Sequence, residues 1–169
     1  MFLRMSGRLG AISLMAIGCA HAPPAPAVAP APTVAARREL AVIPAESDAF
    51  PSAARAISAQ LARAKVACVD DTRLSKVSLE VVQLAIECVE PTGACYQQVG
   101  KSLDANQLLF ARIDGRGAAQ TAKAKRPLKV TVTLFDVDAR AAARTAEREF
   151  ATEDDATAGA AALVDEVTR

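Results

Sequence analysis

Apolar positions first gather in one block, Leu9 to Ile17, which Arg4 and Arg8 precede and Ala16-Ile17-Gly18-Cys19 closes. The block is about half the roughly twenty residues that a helix needs to cross a bilayer. A basic start, a short apolar run and small closing residues have instead the layout of an export signal over residues 1–18. After Cys19 the pattern fades: Ala20 to Ala36 is mostly alanine and proline, with five of the nine prolines between Pro23 and Pro32. Such a tract cannot build a core and favours extended chain at about 3.1 Å per residue. Residues 19–38 therefore read as an attachment point and spacer, and residues 39–169 as a single domain.

Inside that domain the pattern alternates between two periods. Leu40-Ala41-Val42-Ile43, stopped by Pro44, predicts a buried strand. Phe50, Ala54, Ile57, Leu61 and Ala64 recur at helical spacing, with Pro51 suited to a first turn. Val66-Ala67-Cys68-Val69 predicts a second strand, ended by Asp70-Asp71. Val77, Val81, Leu84 and Cys88 form a helical stripe, although Val77, Leu79 and Val81 also alternate as strand residues do. A helix is favoured there, because parallel strands need a crossover between them. Pro91-Thr92-Gly93 breaks it, and a short helix follows over 94–103, with Cys95, Tyr96, Val99 and Leu103 on one side.

Gln107 to Ile113 predicts a third strand, and 114–126 a surface loop. The cleanest alternation is Leu128 to Val137: Leu128, Val130, Val132 and Leu134 face one way, Lys129, Thr131 and Thr133 the other. Asp138-Ala139-Arg140 turns the chain into a returning strand over 144–150. Thr152 and Asp155 resemble a capping box for a last helix with Ala160, Leu163, Val164 and Val167 inward. The expected class is α/β, a mixed five-stranded sheet with helices packed on it, in the order strand, helix, strand, helix, helix, three strands, helix.

Charge and composition narrow the function. Without Arg4 and Arg8 the chain carries 18 basic against 19 acidic residues, a net charge of −1. That balance, with no Trp and one Tyr, excludes an electrostatic or base-stacking nucleic-acid binder. An exported chain meets an oxidising compartment, where a disulfide is the default. Cys88 and Cys95 are the natural pair, stapling two helices across their turn. Cys68 is expected to be a small buried hydrophobe.

The tetrapeptide ending at Cys19 resembles the lipobox of bacterial lipoproteins. The resemblance implies cleavage before Cys19, acylation of that cysteine, and an outer-membrane destination, since Ala20 replaces the Asp that favours inner-membrane retention. The competing pattern Ala20-His21-Ala22 suits an ordinary signal peptidase and a soluble periplasmic product, but Pro23 disfavours that cut. Three further stretches resemble the amino-terminal α/β domain of TolB and related envelope lipoproteins. They are Leu40-Ala41-Val42-Ile43-Pro44, the run Val99 to Leu109 (VGKSLDANQLL), and the run Val130 to Val137 (VTVTLFDV). What this resemblance implies is a periplasmic interaction module without catalytic residues.

The side chains that could carry chemistry point the same way. The single histidine, His21, lies in the spacer, so histidine-based triads, bases and metal clusters have no donor in the domain. The remaining cysteines lack zinc-ligand spacing, and a Cys-x-x-Cys redox motif is absent. Gly115-Arg116-Gly117 is too short for a dinucleotide fingerprint. Glu153-Asp154-Asp155 reads as first-turn acids answering a helix dipole rather than as a cation site. Lys123, Lys125 and Arg126 are the most arguable contact residues, for an anionic surface, against the plainer reading of a solvated loop. The expectation is a lipid-anchored, non-enzymatic envelope protein without a cofactor, touching the membrane through its anchor and an envelope protein or cell-wall component through its domain. The alternative is a small-ligand or glycan binder with a pocket at the carboxyl ends of the parallel strands.

Overall fold

The computed structural model describes residues 37–88, 90–115 and 126–169. Nine elements follow in order: β1 (Glu39–Val42), α1 (Pro51–Leu61), β2 (Asp71–Leu74), α2 (Leu79–Ala85), α3 (Gly93–Ser102), β3 (Gln107–Gly115), β4 (Leu128–Asp136), β5 (Ala141–Phe150) and α4 (Glu153–Thr168). They build one mixed sheet in the order β2-β1-β3-β4-β5. β1 runs parallel to β2 and β3, whereas β4 and β5 continue antiparallel. The α/β class and the order of elements are those the sequence predicts.

The alternation in β4 decides which face is which. Leu128, Val130, Val132 and Leu134 point into the larger core, where Ile57 and Leu61 of α1 and Leu163, Val164 and Val167 of α4 cover them. On the opposite face α2 and α3 cover only the β1 and β3 region and the end of β4. Ala41, Ile43, Leu108, Phe110, Phe135 and Val137 meet Leu79, Val82 and Val99 there. Tyr96 packs its ring 4.9 Å from that of Phe110 and 5.3 Å from that of Phe135. Toward β5 this second face is polar, and Lys129 Nζ lies 3.1 Å from Glu147 Oε2. The antiparallel part of the sheet, β3 to β5, satisfies its ladder internally while one side meets water.

One strand is misplaced by the hydrophobic pattern. Val66–Val69 is not a strand; β2 begins at Asp71, where a strand end was expected. Cys68 has φ 61°, which no extended strand accommodates. Val66 and Val69 pack partly buried against the larger core from the loop after α1. β2 itself, Asp-Thr-Arg-Leu, is exposed at all four positions. It lies at the sheet edge, where charged residues discourage pairing with another chain and apolar alternation is not required. Cys68 is correspondingly exposed, not a buried hydrophobe.

Candidate interaction surface

Seven residues are too few for a helix to persist unaided, since isolated helices shorter than about 12–15 residues are marginal in water. α2 is therefore held by its surroundings. Leu79 and Val82 anchor it in the smaller core. Its carboxyl end closes with paired backbone bonds, Cys88 N to Gln83 O at 2.8 Å and Glu87 N to Leu84 O at 3.2 Å. This is the arrangement of a Schellman motif, and Glu87 takes the left-handed position with φ 55°, where glycine is usual. Immediately beyond, Cys88 and Cys95 form a disulfide across a Cα–Cα distance of 5.6 Å. Thr92 Oγ1 accepts from Cys95 N at 3.2 Å and so caps α3, which seats the second half of the staple.

With Leu79 and Val82 facing inward, the helical stripe read from the sequence faces outward. Val77 is 41% exposed, Val81 49% and Leu84 70%. The stripe is real, but its direction is the reverse of a core-facing one. α2 is apolar on both sides, and a helix with that pattern ordinarily has protein on both. The outer side carries Glu80 and is followed by Glu87 and Glu90, all exposed. An open groove of about 440 Å³ continues from the end of α2 over the disulfide, lined by Glu87, Glu90, Thr92, Ala94 and Gln98.

A second open groove, about 330 Å³, lies at the amino ends of β1 and β3, between Glu39, Asp104 and Asn106. There Asn106 Oδ1 accepts from Glu39 N at 2.7 Å and Asn106 Nδ2 donates to Arg37 O at 2.9 Å, so the side chain is spent on holding the two strand starts.

Cys19, Lys123 and Lys125 lie outside the described residues, and Arg126 is half-buried just before β4. Glu153 serves as a helix cap: its Oε1 accepts from the backbone N–H groups of Ser52 at 2.5 Å and Ala53 at 3.1 Å, capping α1 from the start of α4. Asp155 pairs with Thr152, whose Oγ1 accepts from Asp155 N at 3.1 Å. Among the described residues no group of three or more His, Cys, Asp or Glu could hold a metal ion. The same residues contain no helix long and apolar enough to cross a membrane.

No family model matches the chain, and no curated protein matches it. Among solved structures, a PelC dodecamer from Paraburkholderia phytofirmans is similar at 17% identity, covering 82% of this chain and 94% of that one, with a TM-score of 0.42. A lipoprotein from Neisseria meningitidis is similar at 12% identity, with 66% and 81% covered and a TM-score of 0.39. A hypothetical protein from Chlamydia trachomatis follows at 15%, with 79% and 92% covered and a TM-score of 0.33. The narrower likeness to the TolB amino-terminal domain rests on the sequence resemblance alone.

Proposed function

We propose that this chain is a lipid-anchored, non-enzymatic protein of the bacterial envelope. Its TolB-like α/β domain would face the periplasm from the outer membrane and work by touching another protein or a cell-wall component. The observation that carries this reading is the outward apolar side of α2, held in place by a disulfide instead of being turned into the core. Exposing Val81 and Leu84 to water costs burial that the fold elsewhere secures, and such a surface is retained where something covers it. The anchor rests on the sequence: the signal-like leader ends at Cys19, and a proline-rich spacer separates it from the domain. Two or three acyl chains on that cysteine would hold the protein stably, where one would hold it only marginally.

Metabolic labelling with a fatty-acid probe tests the anchor. The wild type should incorporate the probe and fractionate with outer membranes, and Cys19→Ala should lose both properties. A mature protein that starts at Pro23, unlabelled and soluble in the periplasm, would overturn it.

A further inference from the structure

The outer side of α2 has an apolar middle and an acidic border, and the two together define what fits it. Val77, Val81 and Leu84 are exposed together along this side, and neighbouring exposed apolar side chains of this kind mark interaction sites. Glu80 flanks the middle of this stripe, while Glu87 and Glu90 stand beyond its end, where they line the groove over Cys88–Cys95. Lys76 is the one basic residue among the described positions from 75 to 90. An anionic lipid surface would be repelled by such a border. A second copy of the chain would bring its own Glu80, Glu87 and Glu90 against these, a juxtaposition of like charges that opposes pairing. A segment with apolar side chains on one face and lysines or arginines beside them meets both features at once.

We propose that the outer side of α2 and the adjoining disulfide groove are a docking site for a cationic amphipathic peptide segment of a partner protein. Its apolar residues lie against Val81 and Leu84, and a lysine or arginine enters the groove between Glu87 and Glu90. The proposal deepens the interaction role given above and rests on it. Helix-on-surface recognition of this kind reads anchors spaced by three and four residues, and electrostatic complementarity sets its specificity.

The test is a titration of the purified protein with two synthetic helical peptides that share a leucine face and differ in carrying lysine or glutamate beside it. The wild type should bind the lysine peptide at least tenfold more tightly than the glutamate peptide. Leu84→Glu should weaken that binding at least tenfold. Glu87→Gly should weaken it severalfold without unfolding the protein, because glycine suits the left-handed position that Glu87 occupies. Glu87→Lys combined with Glu90→Lys should invert the preference. Equal binding of the two peptides overturns the proposal, as does affinity indifferent to these substitutions. So does concentration-dependent self-association that Leu84→Glu abolishes, or adsorption to vesicles containing phosphatidylglycerol. The titration does not involve Cys19, so its failure is separate from failure of the fatty-acid labelling.

Discussion

Gly100 lies where α3 crosses the end of β4, and a Cβ built on it would collide with both methyl groups of Val137 and stand 3.1 Å from Ala105 O. Val137 is buried in the smaller core, so it has no solvent side to retreat to. Gly100→Ala should therefore destabilise the protein by about 1–3 kcal/mol, the usual cost of overpacking. A melting temperature within a degree of the wild type would show that α3 can shift instead. The same scale explains why some residues were misread. Cys68 adopts a positive φ that cysteine does not announce, so the strand expected over Val66–Val69 could not be recognised as a turn. Glu153 does stand in the first turn of its own helix, as read, but its hydrogen bonds go to the start of another helix 100 residues earlier. A sequence shows that an acid suits a helix start; it does not show which start.

At the scale of elements, α2 depends on its staple. The chain-entropy model assigns a closed loop of eight residues about 2.5 kcal/mol. Replacing Cys88 and Cys95 by serine should thus lower global stability by roughly that amount. Amide exchange should quicken most in residues 79–88, while β3 and β4 remain protected. Uniform quickening across the sheet would mean that the disulfide braces the whole fold rather than one helix. Strong periodicity made most elements legible, with α1, β4 and α4 carrying their buried faces in plain alternation. β2 was not legible, because an exposed edge strand has no apolar side to write into the sequence. α2 was half legible: its stripe was found, but periodicity reports that a helix has an apolar face without reporting which way it turns.

Across the whole molecule, the sheet joins segments far apart in the chain. β1 sits between β2 and β3, so Leu40 pairs with both Thr72 and Gln107. The larger core closes only when α4 lies beside α1, and Glu153 Oε1 then accepts from two amides that α1 cannot satisfy itself. Glu153→Ala should cost about 1 kcal/mol, as loss of a helix cap does. Because the cap joins the first and last helices, that loss should appear as global destabilisation in urea with an unchanged m-value. A separate early transition for α1 would refute the coupling.

That long-range clasp also bears on the order of events during synthesis. A ribosome delivers residue 52 well before residue 153, and until the later one emerges the first helix lacks both its cap and the wall it rests on. The larger core therefore takes its final shape only when the segment that carries Glu153 has joined it.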